Sequence, residues 1–505
     1  MDGRRLFEVY AQWMGLTKRI ARARRIAFTK RIAHTKRFAL TKRIAFTKLN
    51  ARTKRTAFTK RIPLTKRIAL AMLLALAAHG CAEPVPEIAS GPVVTDSAGV
   101  RRVANREPRW GTAEGWRVSA EPVLRIGLVD GAREYLFHRI ADLTRLSDGT
   151  IVVLNAGDGQ LRYYSADGEH LRSVGGEGDG PGEMRDGRWL DRLENDVVQV
   201  THRGGRLRYA PDGTLLADDR LRWDRMHALG RAADISNSSG FLMESCWGDT
   251  PLFLGDVVLL CASTYTDVRF LPSEAGYHES EMFVARSGWS LEVLDTIGTF
   301  AYRGMVRYPA AGRLFSARIG PPYAPRGSMR VSGSPPQLAY TEARAYCIEL
   351  HSITGPERRL VIERAGGLRA PTSDELAGFD RSFDGEQPFD GIGIRPVGPS
   401  RSRPLRPAGD ADEFRDQVAV VDSVSIIEGA PHVDALGAVW APLESPPDAP
   451  SRVYDVFDAA GIYLGQVELP RLYFRIEEIG DDYILGIYSD ELGVEYVTMY
   501  RLTRS

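Results

Sequence analysis

The residues between 82 and 505 best suited to metal or nucleophilic chemistry are seven histidines (His138, His170, His202, His227, His278, His351, His432) and three cysteines (Cys246, Cys261, Cys347). None stands at a spacing such chemistry uses locally. There is no His-Glu-x-x-His, Gly-x-Ser-x-Gly or Cys-x-x-Cys, so zinc-protease, serine-hydrolase and dithiol-redox readings find no local support. The run Gly175 to Glu183, Gly-Gly-Glu-Gly-Asp-Gly-Pro-Gly-Glu, has the glycines of a phosphate loop but lacks the Gly-Lys-[Ser/Thr] ending that supplies a cation and a magnesium ligand. Its Glu177, Asp179 and Glu183 would repel an anion, so it reads as a flexible connection, with a calcium site on those carboxylates as the second reading. No other cofactor is expected. Cys246 and Cys261 lie in short apolar runs and pair as a disulfide if the compartment is oxidising, or stay reduced as small buried hydrophobes. Either way an odd thiol remains, and three cysteines make neither a disulfide scaffold nor a zinc site.

What must position these residues is a series of short strands. Ile140–Leu146, Ile151–Leu154, Leu161–Tyr164 and His170–Val174 alternate with turns at Asp148-Gly149, Asp158-Gly159 and Asp167-Gly168, the signature of strands joined by hairpins. About 46 residues on, the pattern returns: Trp189–Leu193, Val197–Val200, Leu207–Tyr209 and Thr214–Leu216, with Arg208-Tyr209 answering Arg162-Tyr163 and Asp212-Gly213 answering Asp167-Gly168. A four-strand repeat of 40 to 50 residues is the blade of a β-propeller. Eroded units follow at Val433–Leu469 and Tyr473–Leu502. The last shows three strands and no obvious fourth, and Val93–Val103 is the expected closing strand, since closure removes an open sheet edge. Residues 366–414, rich in Gly, Pro, Arg and Asp, read as a surface insertion, with a capping-box helix start at Pro371-Thr-Ser-Asp-Glu375.

The charge is divided along the chain. Its 505 residues carry 66 Lys+Arg and 65 Asp+Glu, a net +1, yet 21 of the basic and 2 of the acidic side chains lie in residues 1–67. That stretch is +19 and the remainder is −18. The acidic remainder offers no cationic face for phosphates, so no nucleic-acid partner is expected. From Thr29 the arm repeats every six residues as Thr-Lys-Arg-[Ile/Phe]-Ala-x. Each repeat advances a helix by about 240°, so no amphipathic face forms. The arm reads as translated tandem repeat ahead of a true start near Leu64, or as a membrane-surface or nucleic-acid-binding arm. Ile68–Ala78 is eleven apolar residues behind Thr65-Lys66-Arg67, too short to cross a bilayer but the length of a signal-peptide core. The Gly80-Cys81 junction that follows resembles the lipobox of bacterial lipoproteins, although Ala78 and His79 stand where that motif usually has Leu and Ala or Ser. Lipidation of Cys81 is the first expectation, and plain cleavage near Ala75-Leu76-Ala77 the second.

Ile140 to Glu183, the tail Ile479-Gly-Asp-Asp-Tyr-Ile-Leu-Gly-Ile-Tyr488 and Asp490–Tyr496 together resemble bacterial six-bladed β-propeller proteins related to NHL repeats. The similarity spans about residues 92 to 503 and weakens between about 230 and 430. It implies an all-β fold, a six-bladed β-propeller of four-stranded antiparallel blades, in an exported protein. The expected organisation is a basic leader (1–63), a signal peptide (64–80), a linker (81–91) and the propeller (92–505). The expected function is that of a non-enzymatic binding or scaffold module acting through its loop face. Its partner is a protein, peptide or carbohydrate, its membrane contact is the N-terminal lipid alone, and it is monomeric. The second reading is a metal-dependent lactonase or lyase-type enzyme, because related propellers gather histidines or carboxylates from several blades around the channel.

Overall fold

In the computed structural model every residue of the strand Ile151–Asn155 is buried, and the alternation of its side chains explains why. Ile151 and Val153 point into one hydrophobic cluster, shared with Ile484–Ile487 segment residues Leu485 and Ile487 and with Val497. Val152 and Leu154 point the other way, into a cluster shared with Leu190, Val198 and Val200. A strand sandwiched between two neighbouring sheets loses the polar face of a one-sided strand and becomes apolar throughout. Each such side chain contributes roughly 1.5–3 kcal/mol on burial. Trp440 repeats the arrangement: it faces one cluster while Val439 and Ala441 face another.

The described residues are 91–111, 114–222, 224–225, 252–263, 276–291, 295–310, 313–317, 327–342, 345–354, 359–370, 372–373, 424–445, 449–470 and 474–504, all within the unit Ile88–Ser505. They form a six-bladed β-propeller. The first blade is Ile140–Arg145, Ile151–Asn155, Gln160–Tyr164 and His170–Gly175; the second is Trp189–Arg192, Val198–His202, Gly205–Tyr209 and Leu215–Arg220. The third has five strands, Leu252–Leu254, Val257–Ser263, Gly276–Gly288, Asp295–Ala310 and Arg313–Ala317. Ser328–Ser332, Gln337–Thr341, Cys347–Ser352 and Arg359–Arg364 make the fourth, and His432–Val433, Val439–Pro442, Arg452–Phe457 and Tyr463–Leu469 the fifth. The sixth comprises Phe474–Ile479, Tyr483–Ser489 and Glu495–Thr503, with Leu124–Ile126 as its fourth strand. A short ladder, Leu368–Arg369 with Val424–Ser425, stands apart from the blades. Among the described residues no helix is long and apolar enough to cross a membrane.

The turns between strands follow from their residues. Asp148 and Asp212 each accept the backbone N–H two residues on, at 2.8 and 2.9 Å, and Gly149 and Gly213 take φ of +91° and +84°, a region glycine enters without steric cost. The strand boundaries expected for the first, second and sixth blades agree with the observed ones to within a few residues.

Ring closure differs from the expectation. Val93–Ser97 and Val100–Asn105 form a hairpin that joins the fourth blade, with Val100–Asn105 parallel to Arg359–Arg364. The sixth blade is instead completed by Leu124–Ile126, antiparallel to Glu495–Thr503, with Arg117–Val118 pairing further along that strand. Asn105 explains why the hairpin stays on the fourth blade. Its side chain donates to Gly461 O at 2.9 Å and accepts from Tyr463 N at 2.8 Å, fastening the hairpin to the fifth blade as well. The glycine-rich connection is also held rather than loose: Glu183 accepts Gly180 N at 2.8 Å, and Asp218 of the second blade accepts Gly182 N at 3.2 Å.

Candidate functional site

The first strand of every blade borders the central channel, and at one end these strands frame a cavity of about 570 Å³. Ring order fixes which blades face each other across it: the first faces the fourth, and the second faces the fifth. The first, second and sixth blades contribute Asp142, Asp191, Glu477 and Glu478, while the fourth contributes Arg330 and the fifth His432. Asp142 and Asp191 thus face Arg330 and His432 across the cavity, while Glu477 and Glu478 stand beside them on the blade next to His432.

Several of these groups are committed to holding the ring. Asp142 accepts Leu143 N at 2.8 Å and, from the second blade, Leu190 N at 2.7 Å. Asp191 accepts Gly255 N of the third blade at 3.0 Å. Ser332 of the fourth accepts Val433 N of the fifth at 2.8 Å, and Ala435 N of the fifth donates to Ile479 O of the sixth at 3.0 Å. Glu478 of the sixth closes the series by accepting Thr144 Oγ1 at 2.7 Å and Arg145 N at 3.0 Å from the first. At these joints an inner-strand oxygen satisfies a backbone or hydroxyl donor of the adjacent blade, as buried polar groups require.

Burial sets the protonation of the wall. It pushes the Asp142 carboxyl well up, and the neighbouring Glu477 raises it further, against the two N–H donors and Arg475. Burial likewise raises Glu477, opposed by Arg475, whose Nε lies 2.5 Å from Glu477 Oε1, and by Arg330. Asp191 is pushed up to about 6 by burial, against Gly255 N–H and Arg208. His432 is held well below the ordinary imidazole value by burial and by Arg330 and Arg452. Desolvation disfavours charge on each of these groups, so His432 is a neutral donor and acceptor near pH 7.

Two of the side chains lining the cavity stand out. Among the described residues the His432 ring, 7% exposed, packs edge-on against Tyr454 and makes no hydrogen bond. Among the same residues Arg330 forms no ion pair or hydrogen bond, and its Nε is buried without a partner.

Of the histidines singled out in the sequence, the structure brings only His432 to the cavity among the described residues. His170 is on an outer strand, 2.9 Å from Ser173 Oγ. His351 lies 3.2 Å from Glu349 and packs edge-on against Phe300. His202 is buried at the end of the second strand of the second blade, its Nδ1 accepting Gly204 N at 3.2 Å, and burial lowers it to about 4. His138 precedes the first blade; His227 and the side chain of His278 lie outside the described residues. Cys261, in the second strand of the third blade, is disulfide-bonded, and Cys347 carries a free thiol; Cys81 and Cys246 lie outside the described residues, as does most of 366–414. Among the described residues no three His, Cys, Asp or Glu converge as a metal would need, at the glycine-rich connection or in the channel.

The residues that matter at the cavity, Asp142, Arg330 and Glu477, were not singled out in the sequence. Their signal was a charged residue among apolar neighbours in the first strand of a repeat unit, as in Ile140-Ala-Asp142-Leu143, Met329-Arg330-Val331 and Ile476-Glu477-Glu478-Ile479.

No protein-family model matches the sequence, and no curated protein matches it. Solved structures similar to the chain include a candidate exported protein from Bacteroides fragilis, 11% identical over 80% of this chain and 99% of that one, with a TM-score of 0.39. A member of the DUF4221 family from Bacteroides vulgatus is 8% identical over 77% and 99%, with a TM-score of 0.41. Virginiamycin B lyase from Staphylococcus aureus is 10% identical over 77% and 100%, with a TM-score of 0.30. The assignment of the fold rests on the sheet order of this chain itself.

Proposed function

We propose that the protein is an extracytoplasmic binding module: the segment 64–80 directs export, Cys81 is lipidated, and the propeller, related to NHL-repeat rings, takes a polar ligand at the mouth of its channel. The observation that carries this reading is the cavity itself. Its volume lies within the range of about 300–1,000 Å³ usual for small-molecule sites, and it holds a buried imidazole and a guanidinium that the ring does not use. Acyl chains supply about 0.8 kcal/mol per buried CH₂, which holds a protein at a membrane surface without a spanning helix.

Two measurements on the full chain test the two halves of the reading. A fatty-acid analogue labels the protein and labelling is lost in Cys81→Ser; unchanged labelling in that variant overturns the anchor. For the module, the melting temperature is followed against saccharides, polyamines, amino acids and short peptides at millimolar concentration. One class raises it saturably, as ligands of the native state do. No shift with any class overturns the binding site.

A further inference from the structure

We propose that the channel mouth binds a zwitterion, an α-amino acid or a short peptide with free ends, whose carboxylate sits on the Arg330 guanidinium beside His432 and whose ammonium faces Glu477. The inference rests on the binding-module reading and names the ligand class of that site.

Three observations lead to it. Arg330 is a permanent cation with a planar fork of donors suited to a carboxylate, yet among the described residues it makes no ion pair or hydrogen bond, whereas Arg206, Arg359 and Arg364 each pair with a carboxylate. His432 lines the same cavity, is more than nine-tenths buried, and leaves its ring nitrogens without a hydrogen bond. The neutral ring thus offers a donor and an acceptor to whatever enters the cavity. Finally, Glu477 lines the same cavity with a carboxylate that no backbone N–H takes up among the described residues: its partner is Arg475, whose Nε lies 2.5 Å from Oε1, and Arg330 also acts on it. A purely anionic ligand would meet Glu477. A purely cationic one would meet Arg330 and leave His432 unsatisfied. A ligand carrying both charges satisfies Arg330 and Glu477 at once.

The test is calorimetric titration of the full chain with leucine, with glycyl-leucine, and with two singly charged analogues of the dipeptide: the N-acetyl form (anion only) and the amide (cation only). Leucine or glycyl-leucine binds, and both singly charged analogues bind at least about tenfold more weakly, the loss of one charge-assisted contact. Arg330→Gln weakens the zwitterion and the acetyl form by about tenfold but leaves the amide unchanged. Glu477→Gln weakens the zwitterion and the amide but leaves the acetyl form unchanged. Arg330→Lys, which keeps the charge and loses the fork, falls between, and far-ultraviolet dichroism of each variant separates misfolding from lost recognition. Equal binding of the amide or the acetyl form overturns the zwitterion in favour of a cation or anion site. Binding of a saccharide or polyamine without binding of leucine or the dipeptide overturns the ligand class while leaving the module standing; binding of nothing overturns both.

Discussion

Asp455 is a buried charge with four hydrogen-bond partners, and replacing it measures what holds the fourth and fifth blades together. It lies in the third strand of the fifth blade, with its side chain fully buried. Oδ2 accepts Tyr346 Oη at 2.5 Å and Arg364 Nη1 at 3.0 Å, both from the fourth-blade side of the seam. Oδ1 accepts Tyr463 Oη at 2.8 Å and Gln466 Nε2 at 3.2 Å from the adjoining strand. The Arg364 guanidinium also lies over the rings of Tyr346 and Tyr463, at 5.1 and 4.9 Å. Asp455→Ala therefore leaves a guanidinium whose side chain is 15% exposed without its counter-ion and two hydroxyls without their acceptor. Breaking one partner of a buried pair costs about 3–5 kcal/mol, and the cost lies mostly in the stranded charge. Arg364→Met in the same background removes that charge and fills its volume, so the double variant recovers at least about 2 kcal/mol relative to the sum of the singles. Equilibrium urea denaturation of all four proteins, followed by tryptophan fluorescence, gives the cycle. Additivity of the two substitutions within about 0.5 kcal/mol would refute the reasoning, because the two side chains would then not be energetically in contact.

Asp191 gives a pH signature. Its folded pKa, about 6, lies above the ordinary carboxyl value near 3.9, so the folded state holds the proton more tightly. The stability this confers is full below about pH 4 and is lost as pH rises through 6. Asp191→Asn, which keeps an acceptor for Gly255 N–H, gains stability relative to the parent across that window, and a flat difference between the two urea curves from pH 4 to 7 counts against the assignment. Cys347, pushed up to about 12 by burial and by Glu349 and Glu363, stays unreactive toward a thiol reagent in the native protein and reacts after denaturation, since only the thiolate attacks. Non-reducing peptide mapping recovers Cys261 joined to Cys246; Cys261 joined to Cys81 would displace both that pairing and the lipid anchor.

How much of this was legible beforehand depends on where each residue's partner lies. The first and second blades were readable because Asp-Gly turns and apolar strands are local, and because strands such as Ile151–Asn155 are pressed from both faces. The closing strand was not. Val93–Val103 has the stronger strand pattern, yet the decisive contacts, Asn105 with Gly461 and Tyr463, lie across the ring. Leu124–Ile126 offers three residues, only two of them buried. The cavity was illegible for the same reason: Asp142, Arg330, His432 and Glu477 come from four blades and meet only through ring order. The seven histidines drew attention as a type, but packing turned all but one of those described away from the channel.

Closing the ring through Leu124–Ile126 also decides when the molecule can finish folding. Its partners, Val497 to Met499, lie far along the chain, so these two strands must find each other across a loop of roughly 370 residues. The entropic cost of that meeting, (3/2)RT ln n, is about 5 kcal/mol before any constant is added. The first two blades can form from local hairpins as the chain emerges, whereas the sixth has to wait until Val497–Met499 has been made. A truncation that removes only Glu495–Thr503 would leave five blades with a gap and two bare sheet edges. Such an arc is a species prone to join others edge to edge rather than a smaller propeller.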